Sequence, residues 1–213
     1  MIDPQQTIDA FHDLYYNGKP GDGLIFQRTS WMGVPCLKCP LDLWIYQEII
    51  FELRPDLIIE TGTNLGGSAL YLAHMLDIVG KGAVVTIDIS ELPRPAHPRI
   101  TYVQGSSADG ALISAAIAER PREVCLVILD SDHSQQHVAR ELELLAPLVT
   151  RGSYLIVEDT NINGHPTYPT FGPGPFEAVS EFLPQHPEFE IDRSREKFLM
   201  TFNPNGYLRR VGE

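Results

Sequence analysis

The amino-acid sequence predicts an α/β protein with a Rossmann-like architecture, in which a seven-stranded, mostly parallel sheet carries helices on both faces. Short apolar segments alternate with helical segments between residues 57 and 183, which is typical of β-α-β units and a parallel sheet. The segments 124–129 and 154–157 are continuously apolar, which predicts strands covered on both faces. Two further segments, 189–191 and 198–202, are predicted to close the sheet as a hairpin-like pair.

Composition and charge narrow the class of protein. The chain has 213 residues, 43% of them hydrophobic, which suits one domain, residues 1–213, with a full core. Its 16 basic and 28 acidic residues give a net charge of −12, so nucleic acid and anionic membranes are unfavourable partners. No run of about 18 apolar residues is present to span a membrane, and residues 1–5 do not resemble a secretory signal. With three cysteines, the chain is expected to be cytoplasmic.

The residues before the first strand of the sheet form an arm of helices and loops. Apolar residues at helical spacing predict a helix over 5–16, and glycine and proline predict a loop over 17–23. The segment 29–38 is predicted to be irregular. A second helix is predicted over 40–53, because Pro40 is tolerated in a first turn.

The first strand of the sheet is predicted at 57–60, and a glycine-bearing turn leads from it into an apolar helix at about 65–79. Glycine lets the backbone bend sharply and approach a ligand closely, because it has no Cβ atom. In sheets of this kind, ligands bind beyond the carboxyl ends of the strands. The predicted binding residues of this turn are Glu60, Gly62, Thr63, Asn64, Gly66, Gly67 and Ser68.

The acid at the end of this strand, Glu60, indicates the charge of the ligand. A dinucleotide site favours positive potential for a pyrophosphate, whereas a carboxylate suits a cationic ligand. S-adenosylmethionine is such a ligand, because it carries both an ammonium and a sulfonium group. The turn also lacks the G-x-G-x-x-G spacing of nicotinamide enzymes, which argues against a nicotinamide cofactor.

The remaining elements alternate along the chain. Strands are predicted at 83–88, 100–104, 124–129 and 154–157, and helices at 107–118, 137–149 and 176–183. A loop rich in glycine and proline separates the last strand of this series from the last helix, at 161–175. A loop of this length in a compact domain is often a lid or a binding loop.

Two further strand ends are predicted to hold the nucleoside half of the cofactor. Asp88 lies 28 residues after Glu60, where a carboxylate can accept hydrogen bonds from ribose hydroxyls; the alternative is an aspartate that caps a turn. Ser106 and Ser107 follow the next strand, where an adenine ring would lie. Either serine can also cap the helix that follows.

Three carboxylates are predicted to meet at the same edge of the sheet. Asp130 ends one strand, and Glu158 and Asp159 follow another. If these strands are parallel neighbours, their ends lie about 5 Å apart. Like charges at that range repel, and a hard divalent cation such as Mg²⁺ relieves the repulsion. The alternative is that the acids cap helices and face water separately.

His133 is the predicted general base. It lies three residues after Asp130, at the start of a helix, and an imidazole there can take a proton from an acceptor hydroxyl near neutral pH. The alternative is a surface histidine. The intervening Asp132 is predicted to face the cofactor.

Two cysteines, Cys36 and Cys39, have the spacing of half a zinc site or of a redox pair. The sequence contains no second C-x-x-C motif, and no thioredoxin-like strand and helix surround this one. We therefore expect two packed or surface thiols.

Several long motifs, in order along the chain, resemble the cephalosporin hydroxylase family. They lie at 43–50, 54–63, 66–70, 130–134, 157–161, 171–175 and 203–210. The resemblance covers about residues 31 to 210, nearly the whole chain. Despite its name, this family is similar to class I S-adenosylmethionine-dependent methyltransferases in fold and site, and it is related to rhamnosyl and macrolide-sugar O-methyltransferases.

The resemblance implies a role for each of the predicted site residues. It puts the methionine part of the cofactor near Glu60, Gly62 and residues 66–68, ribose at Asp88, adenine near Ser106 and Ser107, and Mg²⁺ on Asp130, Glu158 and Asp159. His133 falls where catechol-type O-methyltransferases carry a catalytic lysine. In such enzymes the N-terminal arm, here residues 1–40, often shapes the acceptor pocket.

Taken together, these features predict an S-adenosylmethionine- and Mg²⁺-dependent O-methyltransferase. Its acceptor is expected to be a hydroxyl of a small molecule: a sugar, a phenol or a natural-product precursor. Two alternatives are an oxygenase, as the family name suggests, and a non-catalytic protein that binds the cofactor. An oxygenase usually needs a two-histidine, one-carboxylate iron site, which the sequence does not assemble. Related enzymes often assemble, so the resemblance also allows a homo-oligomer.

Overall fold

The computed structural model describes residues 3–18 and 23–212. The helices are α1 (Pro4–Asn17), α2 (Pro40–Leu53), α3 (Gly67–Val79), α4 (Gly110–Ile117), α5 (Gln135–Leu145) and α6 (Pro175–Phe182). The strands are β1 (Ser30–Trp31), β2 (Val34–Pro35), β3 (Leu57–Thr61), β4 (Ala83–Asp88), β5 (Ile100–Gln104), β6 (Cys125–Leu129), β7 (Tyr154–Val157), β8 (Phe189–Ile191) and β9 (Tyr207–Arg210). The loop predicted at 17–23 lies largely outside the described residues.

The main sheet has seven strands in the order β5-β4-β3-β6-β7-β9-β8. The first five are parallel, whereas β9 pairs antiparallel with both β7 and β8. The chain starts the sheet at its centre with β3, moves outward to β5 and then returns to the other side with β6. The order therefore reverses between β3 and β6, which is where sheets of this kind bind ligands.

Hydrophobic residues cover both faces of the sheet, as the continuous apolar strands predicted. Leu57 and Ile59 point into a cluster that includes residues of α4, α5 and α6. Ile58 points to the opposite face, into a cluster with α2 and α3. Each such fully buried side chain contributes about 1.5–3 kcal/mol of transfer free energy. The two layers of helices fix the sheet, and the sheet in turn fixes the ends of its strands.

The closing pair of strands differs from the prediction. The segment 198–202 is not a strand, because Leu199 has a φ of 70°, a conformation that extended backbone does not adopt. Instead it buries Met200 and Phe202 against Cys39 in a third cluster. The partner of β8 is β9, which the sequence analysis missed because two of its four residues are arginines.

The N-terminal arm packs over the strand ends. The segment predicted to be irregular contains a short antiparallel hairpin, β1 and β2. Tyr16 and Phe26 pack with Phe202 through ring contacts at centroid distances of 5.1 and 6.0 Å. In the part of the chain that the structure describes, no helix is long and apolar enough to cross a membrane.

Candidate active site

Two adjoining clefts lie beyond the carboxyl ends of the parallel strands. The first, of about 420 Å³, lies between the strand ends and the N-terminal arm. The second, of about 540 Å³, extends toward the ends of β4 and β5. Gly62, Asp88 and Ser131 line both, so the clefts form one continuous depression across the reversal point of the sheet.

Most of the predicted site residues line these two clefts. Those in the first are Gly62, Asn64, Gly67, Ser68, Asp88, Asp130, His133 and Asp159. Those in the second are Gly62, Asp88, Ser106, Ser107 and Asp132. The four that are not among the lining residues are Glu60, Thr63, Gly66 and Glu158. These four lie at the same strand ends. Glu60, Thr63 and Glu158 have side-chain partners inside the protein, and Gly66 is the N-cap of α3.

The glycines of the turn after β3 make room for the backbone of neighbouring segments. The sequence predicted that they make room for a ligand. A Cβ atom on Gly62, whose φ is 83°, would lie 1.7 Å from the carbonyl oxygen of Asp130, and one on Gly67 would lie 2.1 Å from that of Pro35. Gly66 has a φ of 80° at the N-cap of α3. The turn is therefore pressed against the Asp130 loop on one side and the arm on the other.

Glu60 is fully buried at the end of β3. Thr86 donates a hydrogen bond of 2.6 Å to its Oε2 atom, and Thr63 is hydrogen-bonded to Thr86 in turn at 2.7 Å. No hydrogen bond to the Oε1 atom meets the distance and angle limits among the described residues. Burial raises the pKa of Glu60, although the charge of Lys38 and the hydroxyls of Ser68 and Thr86 act in the opposite direction. An unpartnered carboxylate oxygen next to the turn fits a cationic ligand.

The nucleoside side of the depression is built from hydrogen-bonded groups. Asp88 accepts hydrogen bonds from the backbone N–H groups of Asn64 at 2.7 Å and Ser90 at 2.8 Å. Burial acts to raise the pKa of Asp88, but the bonds from Ser90 and Asn64 bring it below the ordinary value. Ser107 is buried and lies 3.1 Å from His137 Nε2. This wall therefore presents a carboxylate that stays ionised near neutral pH, and a fixed hydroxyl.

The predicted carboxylates do meet at one edge, because β6 and β7 are parallel neighbours. Asp130, His133 and Asp159 each place one ligand atom within 4.8 Å of the others. Asp159 has a φ of 53°, and a non-glycine residue in this region is often part of a functional site. Glu158 is buried beside them and accepts a hydrogen bond of 2.7 Å from the hydroxyl of Tyr46.

Lys38 is a site residue that the sequence analysis missed. Its side chain is 3% exposed, its ammonium forms ion pairs with both Asp130 and Glu158, and the residue lines the first cleft. A lysine between apolar neighbours at 36–39 was the available signal, but only the fold shows its partners.

Cys36 and Cys39 are free and buried, and burial raises the pKa of Cys36 to about 12. They are therefore packed thiols, one of the two forms that the sequence predicted.

The electrostatics of this edge favour a divalent cation. Burial, together with repulsion between the acids, raises the pKa of Asp130 to about 6 and that of Glu158 to about 7. When all three carboxylates are ionised, one lysine against them leaves two negative charges in excess, the charge that one divalent cation neutralises. Carboxylate oxygens with one imidazole are donors that suit Mg²⁺ or Mn²⁺. The residues present therefore fit such an ion.

His133 stands at the mouth of the first cleft. Its Nε2 atom lies 3.1 Å from Asp159 Oδ2, and its side chain is 28% exposed. Part of the lining of this cleft is aromatic, formed by Tyr16 and Phe26, whose rings stack at 4.9 Å. The same two rings continue into an outer recess that includes Tyr168. The cleft therefore combines a histidine, carboxylates and two aromatic rings in one lining.

Solved structures share this fold. One described as "cmcI-D160 Mg-SAM" has a TM-score of 0.69 and 23% identity, over 94% of this chain and 84% of that chain. Another, described as a putative caffeoyl-CoA O-methyltransferase from Staphylococcus aureus, has a TM-score of 0.56 and 14% identity, over 89% and 86%. The fold is that of the class I, S-adenosylmethionine-dependent methyltransferases.

Sequence comparison gives the family. The model of the family Rhamnosyl O-methyltransferase/CmcI matches residues 24–211. The rhamnosyl O-methyltransferase of Mycobacterium tuberculosis is 43% identical over 214 residues, 96% of this chain and 85% of that protein. The Mycobacterium leprae protein of the same name is 41% identical over 221 residues, 97% and 92%. The chain belongs to the Rhamnosyl O-methyltransferase/CmcI family, which confirms the resemblance drawn from its motifs.

Proposed function

We propose that the chain transfers a methyl group from S-adenosylmethionine to a hydroxyl of a sugar, in a reaction that depends on Mg²⁺. The observation that carries this proposal is the continuous depression that joins the turn after β3 to Asp88, Asp130 and Asp159. Relatives at 43% identity are named rhamnosyl O-methyltransferases, which supports a rhamnosyl acceptor. Structures of the same fold are described with Mg-SAM, or with Mg and SAH, which supports the cofactors.

The cofactor would lie across the two clefts. Gly67 and Ser68 would contact its methionine part, with the unpartnered Oε1 of Glu60 behind them supplying negative charge. The carboxylate of Asp88 would accept hydrogen bonds from the ribose, and Ser106 and Ser107 would border the adenine. S-adenosylmethionine, when bound, supplies a methyl group on a sulfonium, which a single in-line displacement transfers to oxygen.

The acceptor hydroxyl would lie in the first cleft, against the carboxylate edge. Asp130, Glu158 and Asp159 are the proposed metal ligands. His133 lies beside them but is proposed to stay off the ion, because a ring nitrogen that ligates a metal cannot also accept a proton. A divalent cation bound there lowers the pKa of a hydroxyl that it ligates and fixes its position. Holding the two reactants in one orientation is the main contribution of such a site.

His133 is the proposed proton acceptor. The imidazole of His133 would accept the proton that the acceptor hydroxyl loses when it is methylated. Asp159 Oδ2, 3.1 Å from His133 Nε2, stabilises the positive charge that the ring gains. The proton then leaves to water through the mouth of the cleft, where His133 is partly exposed.

The N-terminal arm, residues 1–40 of the single domain 1–213, is proposed to shape the acceptor pocket. Tyr16 and Phe26 supply a flat aromatic wall, the kind of surface on which a sugar ring packs. The loop 161–175 would cover the acceptor, and its Tyr168 lines the outer recess. Three free, buried cysteines support a cytoplasmic location, and assembly into a homo-oligomer is a further proposal that light scattering tests.

The test is a methyl-transfer assay with radiolabelled S-adenosylmethionine and rhamnosyl glycosides. Label should enter the acceptor with Mg²⁺ present and not after chelation with EDTA. A panel of phenols and macrolide sugars measures the preference for rhamnose. Transfer that is unchanged by EDTA would exclude the metal mechanism. Cofactor binding without transfer to any hydroxylated acceptor would favour the non-catalytic alternative. Among the described residues the one metal-binding cluster has a single histidine, which does not favour the oxygenase.

A further inference from the structure

Lys38 lies where a cation is expected. Its side chain is 3% exposed, and its ammonium contacts one carboxylate oxygen from each of two neighbouring strand ends, Asp130 and Glu158. A buried ammonium is costly unless it is paired, and here the pairing is complete. The amine is therefore held in its charged form and cannot act as a general base.

The two carboxylates depend on Lys38 to different extents. Glu158 has a second donor, the hydroxyl of Tyr46 at 2.7 Å, and Asn203 in turn donates to that hydroxyl at 3.2 Å. In residues 3–18 and 23–212, no other side chain donates a hydrogen bond to the carboxylate of Asp130. Loss of the lysine would therefore leave Glu158 anchored and Asp130 unpaired.

Asp130 is also the carboxylate for which a metal ion and Lys38 would compete. It forms a possible ligand set with His133 and Asp159, with one atom of each residue within 4.8 Å of the others. A divalent cation at that set and the ammonium of Lys38 would be two positive charges competing for one carboxylate. At such short range, repulsion between the ammonium and the cation lowers the affinity of the site for the cation several-fold, even with strong screening.

We propose that Lys38 is an internal counter-ion that competes with the divalent cation: it pairs Asp130 with Glu158 in the metal-free protein, and when the cation binds it gives up Asp130 and stays on Oε1 of Glu158, which leaves Oε2 of Glu158 for the metal. The inference rests on the metal site of the proposed function. Lys38 is thus a positioning residue, which keeps the carboxylates assembled before the metal arrives and sets how tightly the metal is held.

The test measures cation binding directly, in the absence of acceptor. Lys38→Met retains much of the side-chain length but removes the charge, so the three carboxylates carry one more uncompensated negative charge. Titration of the variant with MnCl₂ at about pH 8 should give a Kd at least about tenfold lower than that of the unmodified protein. Without a divalent cation the variant should melt at a lower temperature, and MgCl₂ should raise its midpoint by more than it raises that of the unmodified protein.

The matched control is Lys197→Met, which removes a lysine from an exposed ion pair with Glu48. Its Kd for Mn²⁺ should equal that of the unmodified protein. A Kd in Lys38→Met that is equal to or higher than that of the unmodified protein would overturn the counter-ion role. The proposed function would still stand in that case, because the unmodified protein binds the cation. If the unmodified protein binds neither Mn²⁺ nor Mg²⁺, the metal in the proposed function is wrong and this inference fails with it.

A measurement on the unmodified protein covers the case in which Lys38→Met does not fold. In protein with ¹⁵N-labelled lysine, a fully buried and paired ammonium gives an NMR signal. Exposed lysines lose this signal because their protons exchange with water. Addition of MgCl₂ should shift that signal and saturate at one equivalent. A signal that stays unchanged while Mg²⁺ is bound would show that Lys38 does not move from Asp130.

Discussion

Tyr46 donates a hydrogen bond of 2.7 Å from its hydroxyl to Glu158, joining helix α2 to the end of strand β7 in the buried interior. Both residues are buried, with at most 4% of their surface exposed. The contact holds one oxygen of Glu158 in place, while the neighbouring Asp130 and Asp159 line the cleft. Helix α2, which supplies no residue to the strand-end turns, thus takes part in building the carboxylate edge.

Asp130 is the residue whose loss should be most damaging to the chemistry. Asp130→Asn keeps the size of the side chain but removes a negative charge and a ligand oxygen from the edge. We expect the rate of methyl transfer to fall by about a hundredfold or more, and the Mg²⁺-dependent rise in melting temperature to be lost. Asp56→Asn, at the opposite end of the sheet, is the control. Retention of full activity and of the Mg²⁺ effect in Asp130→Asn would rule out the proposed metal site.

Glu60 should matter for the charge of the cofactor. Glu60→Gln removes a buried charge with one unpartnered oxygen, so the cofactor-free protein should be no less stable. Affinity for S-adenosylmethionine should fall by about tenfold, because a nearby opposite charge is lost. Affinity for the demethylated product, which lacks the sulfonium charge, should fall less. Calorimetric titration with both ligands measures this, with Glu143→Gln as an exposed control; equal losses for both would place Glu60 beside the ammonium instead.

Phe26 should affect the acceptor and not the cofactor. Phe26→Ala removes one half of the stacked aromatic wall formed with Tyr16. The KM for the sugar acceptor should rise by about tenfold, while the Kd for S-adenosylmethionine stays unchanged. Phe51→Ala, on the exposed face of α2, controls for a general effect on the fold. A changed cofactor Kd with an unchanged acceptor KM would contradict the proposed division of the site.

His12 should make the stability of the protein depend on pH. Burial lowers its pKa from 6.5 to about 4, and the neutral ring accepts a hydrogen bond of 2.8 Å from Asn161 Nδ2. Between those two pH values the unfolded chain binds more protons than the folded chain. The free energy of unfolding should therefore rise with pH through this window, by about 3 kcal/mol at most, and be lost again on acidification.

The measurement for His12 is denaturant unfolding at several pH values. His12→Gln keeps a hydrogen-bond acceptor but does not titrate, so its free energy of unfolding should depend less on pH between about 4 and 6.5. His186→Gln, near the surface, should keep the dependence of the unmodified protein. An identical pH profile in His12→Gln would show that other groups cause the acid sensitivity.

Strand ends were predictable from the sequence, and contacts made across the arm were not. Asp88 and Asp130 follow apolar segments whose length and flanking residues define parallel strands, so their shared edge follows from the topology alone. Lys38 comes from an irregular segment and finds its partners 92 and 120 residues further along the chain. No local periodicity encodes a pairing of that range. The confirmed family resemblance gave the methyltransferase class, but it did not indicate this lysine.

The misassigned segment 198–202 shows the other limit of pattern reading. Its apolar residues suit a strand by composition, but they are apolar because they pack against the arm. Met200 and Phe202 fill the third cluster, with Tyr16 and Phe26 beside it. Burial explains the pattern equally well for a strand and for an irregular segment, and only the positive φ of Leu199 separates the two.

The contact between Gly62 and the carbonyl of Asp130 has a consequence for how such enzymes diversify. Because a Cβ atom on Gly62 would lie 1.7 Å from that oxygen, the donor side and the acceptor side meet backbone to backbone, at a separation set by neighbouring strands. The reach of the methyl group is thus a property of the scaffold. If the arm shapes the acceptor pocket as proposed, changes in the arm alone can alter the acceptor while this backbone separation stays the same.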